Sequence, residues 1–385
     1  MIAAKSPVAN WSYPTSIRFG AGRVSELPEA VRAAGIARPL LVTDKALASL
    51  PITQSALDLL DGAGLKPGLF AEVQSNPTDT NLAAGVAAFR AGGHDGVVAF
   101  GGGSGLDLGK CVAFMQGQTR PVWDFEDIGD RWTRADPDAI APIGAVPTTA
   151  GTGSEVGRAS VITNSADHVK KIIFHPKILP QIVICDPELT VGMPRFITVG
   201  TGMDAFAHCL EAYCAPSYQP MSEGIAIEGM RLVKEYLPRV YAAPDDIAAR
   251  AQMMSAAAMG AVAFQKGLGA IHALSHPIGA RHDTHHGMTN AVVMPAVLHA
   301  NRAALEDRIG RLAAFLGIGG GFDGFMDFVL DLRAELGVPA GLIAFGVPES
   351  SFDTIAEMAP DDPTAAGNPI ELTRELAREM VEAAR

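Results

Sequence analysis

The sequence predicts a two-domain protein, with an α/β domain built on a parallel sheet followed by an all-helical domain. The chain has 385 residues, which is too long for a single small hydrophobic core and indicates two domains. In its first half, short runs of Val, Ile and Leu alternate with stretches of helical spacing, the pattern of a parallel sheet covered by helices on both faces. In its second half, long segments rich in Ala, Met and Leu have the length and period of helices.

The individual elements follow from these patterns. Continuous apolar runs predict buried strands at residues 39–43, 96–100, 143–147 and 182–185, and helical spacing predicts a helix at 81–91. Later helices are predicted at 225–241, 248–264, 305–316, 325–336 and 372–384, with a glycine-rich loop at 317–324. Two prolines and a helix-start cluster near residue 194 place the domain boundary between 1–193 and 194–385.

The composition is that of an ordinary globular enzyme, with 48% hydrophobic and 19% charged residues. The formal net charge of −12 argues against a nucleic-acid partner and against attraction to anionic lipid. The four cysteines form no CxxC pair, which favours reduced core residues. We see no export signal and no stretch near the roughly 18 apolar residues of a membrane helix, so we expect a cytoplasmic protein with no membrane partner.

A run of three glycines follows the predicted strand at 96–100. Gly101, Gly102 and Gly103 allow close backbone approach to a ligand, and the helix after them aims free N–H groups at an anion, an arrangement that suits the pyrophosphate of a dinucleotide. A Walker A loop does not fit, because Cys111 follows Lys110 where Ser or Thr is needed. A tight strand-to-helix turn is the alternative.

Two further loops support a dinucleotide site. After the strand at 143–147, four hydroxyls can donate to phosphate or ribose oxygens, those of Thr148, Thr149, Thr152 and Ser154. For that segment alone, an ordinary Ser/Thr-rich loop that binds no ligand is the alternative. Asp44 follows the strand at 39–43, where a carboxylate accepts from a ribose and repels a 2′-phosphate, which favours NAD over NADP. Asp44 capping the next helix is an equally weighted alternative.

Metal-ligand spacing occurs twice in the second half. Asp204 and His208 are four residues apart in a helical segment, so both reach one ion. His272 and His276 repeat this spacing, and His286 lies beyond a turn. One carboxylate and several imidazoles suit Fe(II), Zn, Co or Ni. Surface or capping pairs are the alternative, but crowded imidazoles have little packing value and repel when protonated.

The motifs together resemble the iron-containing (group III) alcohol dehydrogenases. "GGGSGLDLGK", "PTTAGTGSE", "TGMDAFAHCLEAY" and "GLGAIHALSHPIGARHDTHHG" occur in that family's order, and "NPT" (76–78), "HVK" (168–170), "DPELT" (186–190) and "GNP" (367–369) also match. The resemblance covers nearly the whole chain. It implies a Rossmann-like NAD-binding domain, a helical metal-binding domain, an active site in the cleft between them, and a homodimer or larger homo-oligomer.

Carried over by motif, the resemblance implies specific site residues. The metal ligands are Asp204, His208, His272 and His286, and His276 lies near the nicotinamide. Because His276 is about one helical turn from His272, it is our own candidate for relaying the hydroxyl proton. The implied cofactor residues are Asp44, Asn76, Gly102, Gly103, Ser104, Asp107, Thr148, Thr149, Thr152, Ser154 and Lys170. The expected reaction is reversible, NAD-linked oxidation of a small primary alcohol to its aldehyde, with Fe²⁺ as the ion and Zn²⁺ as an alternative.

The substrate is the open point of this prediction. His285 stands where many relatives have proline, and His282 replaces an apolar or aromatic residue. Lys266, Arg281 and Arg158 favour a second reading, an ω-hydroxy acid such as 4-hydroxybutyrate or its semialdehyde, unless these cations face solvent or the cofactor. A binder without turnover and a dehydroquinate-synthase-like lyase, which shares the two-domain plan, are less consistent with the motifs.

Overall fold

The computed structural model describes residues 13, 15–167 and 169–385, so His168 of the "HVK" motif lies outside the described residues. Eight strands form a parallel six-stranded sheet and a separate two-stranded hairpin. The strands are β1 (Ser16–Phe19), β2 (Pro39–Asp44), β3 (Gly68–Val73), β4 (Gly96–Gly101), β5 (Ile143–Pro147), β6 (Ala159–Asn164), β7 (Val169–Phe174) and β8 (Ile182–Cys185).

Helices flank the sheet and dominate the second half of the chain. Those of the first half are α1 (Leu27–Ala33), α2 (Lys45–Ala48), α3 (Pro51–Gly62), α4 (Asp79–Ala91) and α5 (Gly103–Met115). Those of the second half are α6 (Arg195–Cys214), α7 (Pro220–Ala242), α8 (Ile247–Ala263), α9 (Ala270–His282), α10 (His286–Ala300), α11 (Arg302–Phe315), α12 (Gly321–Glu335), α13 (Phe352–Met358) and α14 (Arg374–Ala383). This order confirms the predicted parallel α/β domain followed by helices.

The sheet has apolar side chains on both faces. Along β2, Leu40 and Val42 belong to one buried cluster and Leu41 to the other, because successive side chains of a strand point to opposite faces. The strand order is β1-β8-β5-β4-β2-β3. The chain passes from β2 to the edge strand β3 and then returns to β4 on the other side of β2, so the direction of the connections reverses between β2 and β4. Ligands of such sheets bind at the carboxyl ends of the strands at this point.

The described residues divide into two compact units. One contains residues 15–198 and 242–258, and therefore the sheet and most of α8. The other contains Val199–Tyr241 and Met259–Arg385, which are helical with connecting loops. The boundary between residues 193 and 194 stays a prediction.

Three features differ from the sequence-based expectations. Residues 321–324 were expected in a loop but begin α12, which starts after Gly320 adopts a left-handed backbone. The antiparallel β6–β7 pair was not predicted: most of its positions are half-buried, and polar residues interrupt its apolar ones, so neither strand is the continuous apolar run on which the strand predictions depended. The segment Ile247–Lys266 is long and apolar enough to cross a membrane, with a mean hydropathy of 1.2, contrary to the expectation. Half of it is buried, as in a core helix, which makes it weak support for a membrane span.

Candidate active site

Helix α6 carries three acidic or imidazole side chains on one face. Asp204, His208 and Glu211 follow one another at intervals of four and three residues, so they line up along the helix. All three are buried, each with only about a twentieth of its surface exposed. A buried carboxylate requires a cation or hydrogen-bond donors as partners.

Two histidines from other helices reach the same point. The Oδ1 atom of Asp204 lies 3.7 Å from Nε2 of His208, 3.8 Å from Nε2 of His272 on α9, and 3.6 Å from Nε2 of His286 on α10. The ligand atoms of Asp204, His208 and His272 lie within 4.8 Å of one another. The structure therefore brings together the four residues that the sequence motifs indicate as metal ligands.

These separations fit a bound divalent ion. Ligands about 2.1 Å from an ion in a tetrahedral arrangement lie about 3.4 Å apart, close to the observed distances. The Nδ2 group of Asn290 donates to Oδ1 of Asp204 at 2.8 Å, while the buried Oδ1 of Asn290 has no hydrogen-bond partner among the described residues. Three imidazoles and one carboxylate suit Fe(II) or Zn(II) and offer no thiolate.

A glycine lets α10 approach α6. A Cβ atom on Gly287 would lie 2.1 Å from the backbone oxygen of Gly200 and 2.7 Å from Cβ of Asp204, so only glycine fits there. The preceding His285 caps α10, because its Nδ1 accepts from the N–H of Met288 at 3.3 Å. The close packing brings His286, the first residue of α10, next to Asp204.

Hydrogen bonds at Nδ1 orient two of the histidines. The Nδ1 of His272 lies 2.5 Å from Oε2 of Glu211, and the Nδ1 of His286 lies 3.4 Å from Oγ of Ser275. Donation from Nδ1 leaves Nε2 with its lone pair toward Asp204, as in metal-binding histidines. Our sequence reasoning missed Glu211, although its position seven residues after Asp204 is a signal that could have found it.

His276 is paired with a second carboxylate that the sequence reasoning missed. Its Nδ1 lies 2.8 Å from Oδ2 of Asp362, and its ring stacks on His286 with 5.4 Å between centroids. Burial opposes ionisation of Asp362, but the charge of His276 and hydrogen bonds from His276 and Thr364 hold the pKa of this carboxyl below its usual value. Asp362 therefore stays anionic and accepts from Nδ1 of His276.

The glycine loop after β4 forms the start of α5. Gly101 has φ +140°, which L side chains rarely adopt. The amino terminus of α5 at Gly102 has no side-chain cap, in contrast to α4, which begins with a capping box. The loop after β5 lies beside it, since Cβ atoms on Gly102 and Gly103 would approach Thr149 and Thr152 to 3.1 Å. The arrangement leaves helix N–H groups for an anion.

Other implied cofactor residues lie at or just after the carboxyl ends of neighbouring strands. Asp44 lies at the end of β2 and caps α2 by accepting from the N–H of Leu47 at 2.9 Å, which is the alternative role considered for it. Ser104 donates to the backbone oxygen of Ser75, beside Asn76 in the bend after β3. The buried Thr148 donates its N–H to the oxygen of Gly101 at 2.9 Å and joins the ends of β4 and β5.

Asp107 connects α5 to the segment after β5. Its carboxylate accepts from Oγ of Ser154 at 2.5 Å and from the N–H of Val161 at 3.0 Å. The fully buried Lys110 donates to the backbone oxygens of Ser154 and Ala159, so it serves the loop rather than a phosphate. Lys170 lies on β7, paired in register with Thr163 of β6.

The three cations considered for a substrate carboxylate lie in different surroundings. Lys266 is buried, and its Nζ donates to the carbonyls of Ala212, Tyr213 and Ala215 at the end of α6. Burial lowers the pKa of Lys266. Lys266 therefore caps a helix, and the expectation that it binds substrate loses its support. The Arg158 guanidinium lies 5.4 Å from the ring centroid of Phe174, and Arg281 is exposed in the last turn of α9.

Comparison with known proteins identifies the family. The model described as iron-containing alcohol dehydrogenase matches residues 14–187, and the model of the C-terminal part of the Fe-containing alcohol dehydrogenase family matches residues 198–385. The chain is 41% identical to a 4-hydroxybutyrate dehydrogenase from Cupriavidus necator, over 96% of this chain and 98% of the relative.

Solved structures give the same result. The crystal structure of a 1,3-propanediol oxidoreductase has a TM-score of 0.93 and 33% identity, covering 98% of this chain and all of that one. A sulfoacetaldehyde reductase from Bifidobacterium kashiwanohense, solved with NAD⁺, has a TM-score of 0.89 and 30% identity over 98% of this chain and 99% of its own. As the sequence motifs predict, the chain belongs to the iron-containing alcohol dehydrogenase family of oxidoreductases.

Proposed function

We propose that the protein is an iron-dependent, NAD-linked dehydrogenase that reversibly oxidises a small primary alcohol to its aldehyde. One observation carries the proposal, namely the three imidazole Nε2 atoms within 3.8 Å of Oδ1 of Asp204. Asp204, His208, His272 and His286 would hold Fe²⁺, or Zn²⁺ with the same donor set. The bound ion supplies a Lewis acid that lowers the pKa of an alcohol hydroxyl.

NAD is the proposed hydride acceptor. The uncapped amino terminus of α5 and the hydroxyls of Thr149 and Thr152 offer donors for the pyrophosphate. Asp44, at the end of β2, would accept from the adenosine ribose and repel a 2′-phosphate, which favours NAD over NADP. The remaining proposed cofactor residues are Asn76, Gly102, Gly103, Ser104, Asp107, Thr148, Ser154 and Lys170.

His276 is the proposed acceptor of the hydroxyl proton. Asp362 accepts a hydrogen bond from its Nδ1, so Nε2 is the ring nitrogen left to act on the substrate. A base oriented by an anionic third group is a common catalytic arrangement. His276 would take the hydroxyl proton, and bound NAD would supply the separate acceptor for the hydride.

An ω-hydroxy acid is a second candidate substrate. The 41% identical relative is named a 4-hydroxybutyrate dehydrogenase. A substrate carboxylate requires a cation. Lys266 is committed to the end of α6, whereas Arg281 is exposed in the last turn of α9 and is the cation we propose for this role. If this reading holds, Arg281→Gln raises the KM for 4-hydroxybutyrate at least tenfold and leaves the KM for 1-butanol unchanged.

The decisive experiment measures metal and turnover together. Protein purified without oxygen is stripped with a chelator and reloaded with Fe(II) or Zn(II), and NADH formation is followed with 1-butanol and with 4-hydroxybutyrate. We expect one ion per chain, and turnover only in the loaded protein. His208→Ala should abolish both, with His299→Ala on the last turn of α10 as a matched control. Full turnover of stripped protein would contradict the proposal.

We also propose a domain boundary, an oligomeric state and a cellular location for the enzyme. From the family and the composition we infer a boundary between an NAD-binding domain (1–193) and a metal-binding domain (194–385). We also infer a homodimer and a cytoplasmic location. Light scattering of the purified protein tests the dimer, and limited proteolysis near residue 194 tests the boundary. A monomer would overturn the first, and cleavage confined to other segments the second.

A further inference from the structure

We propose that Glu211 is a positioning residue that holds His272 as the Nδ1–H tautomer, so that Nε2 keeps its lone pair for a metal ion. The inference rests on the proposed function, because it takes His272 to be a ligand. Glu211 lies on the same face of α6 as Asp204 and His208. It would support the metal site without touching the ion.

Both oxygens of Glu211 act as acceptors. Oε1 accepts from the backbone N–H of Ile271 at 2.7 Å, and Oε2 lies 2.5 Å from Nδ1 of His272. Glu211 and His272 are 6% and 1% exposed, so water does not substitute for either contact. Because an ionised carboxylate has no proton to donate, the imidazole must donate from Nδ1.

The same carboxylate anchors the helix that carries His272. Helix α9 begins after Gly269, which provides no side-chain cap, so its first N–H groups need partners from elsewhere. Glu211 accepts from Ile271, and Oδ1 of Asn368 in the "GNP" motif accepts from Ala270 at 3.2 Å. A carboxylate at a helix amino terminus is also favourable for the helix dipole. Ring orientation and helix position therefore depend on one side chain.

The geometry predicts why glutamine cannot replace this residue. A glutamine has one acceptor oxygen and one NH₂ group, whereas Ile271 and Nδ1 of His272 both donate. If the NH₂ group faces His272, the ring must take the Nε2–H tautomer and loses its lone pair toward Asp204. If it faces Ile271, two N–H groups oppose each other in a buried site.

The test compares Glu211→Gln with Glu223→Gln. Glu223 is a matched control in the same unit. It forms ion pairs with Lys266 and Arg308 and none with the proposed ligands among the described residues. Zn(II) affinity is measured by competition with a chromophoric chelator, on protein whose folding is checked by circular dichroism. We expect Glu211→Gln to weaken Zn(II) binding about 10- to 100-fold, the usual effect of losing such a partner, and the control to stay within about twofold of wild type. Affinity within twofold of wild type in Glu211→Gln would overturn the proposal.

A second measurement determines the tautomer in the wild-type protein itself. Long-range ¹H–¹⁵N spectra of the metal-free wild type report the tautomer of each histidine, and the spectrum of His272→Gln identifies the signal of His272. In the neutral ring we expect His272 to carry its proton on Nδ1, and a neutral ring with its proton on Nε2 would overturn the proposal. Absence of Zn(II) binding by the wild type would instead refute the proposed function, so the two failures are distinguishable.

Discussion

Glu155 lies in the loop after β5 and is 2% exposed, with no hydrogen-bond partner for its buried Oε2 among the described residues. Burial raises the pKa of this carboxyl from 4.5 to about 7, although the nearby charge of Lys110 opposes the shift. The folded state therefore favours the protonated form. Replacing Glu155 by glutamine keeps the shape of the neutral acid and removes its ionisation.

The sign and size of the effect follow from this shift. A carboxyl with a raised folded pKa contributes no penalty well below its unfolded pKa. The penalty grows as the pH rises from the unfolded to the folded value and keeps its full size above the folded value. With values of 4.5 and about 7, the penalty is about 1 kcal/mol at pH 5 and roughly 3 kcal/mol at pH 8. Glu155→Gln should therefore stabilise the protein more at pH 8 than at pH 5, by about 2 kcal/mol.

Thermal unfolding of metal-free, NAD-free protein measures the difference. For a domain of this size, about 2 kcal/mol corresponds to a Tm gain about 4–8 °C larger at pH 8 than at pH 5. Glu188→Gln is the control, because Glu188 is exposed in the same unit, and it should show no pH-dependent gain. Equal gains of Glu155→Gln at both pH values would refute the reasoning, since they would mean that the carboxyl does not titrate in this range.

Three further predictions concern residues near the metal site. Lys266→Met should lower the unfolding free energy by about 1–3 kcal/mol in denaturant melts, because it leaves carbonyls at the end of α6 unpaired, yet it should not change the preference between 4-hydroxybutyrate and 1-butanol. Gly287→Ala should reduce the iron content several-fold by elemental analysis, because its Cβ would meet the oxygen of Gly200; full iron loading would be contrary to this. His276→Ala should lower kcat about 10²- to 10⁴-fold and Asp362→Asn less, with a changed pH–rate profile, and an unchanged profile in His276→Ala would exclude the relay.

Much of the fold could be predicted from local patterns. Continuous apolar runs predicted β5 and β8 to the residue, because a buried parallel strand needs apolar side chains on both faces. The spacing of Asp204 and His208 predicted two of the four side chains that meet at the candidate metal site, since four residues along a helix return to the same face. Order and spacing of motifs then predicted the family, which the comparisons confirm.

The partners of the site residues were decided by tertiary structure alone. Glu211 and His272 are 61 positions apart, and His276 and Asp362 are 86 apart, so neither contact leaves a periodic signal in the sequence. Lys266 was one of three cations considered for a substrate carboxylate, but packing of the segment after α8 against the end of α6 gives its ammonium three carbonyl acceptors. Local sequence encodes which residues form an element, because neighbouring side chains share its period. Which polar groups become buried together depends on how distant elements pack, and that packing determines the tautomers and charges on which the chemistry depends.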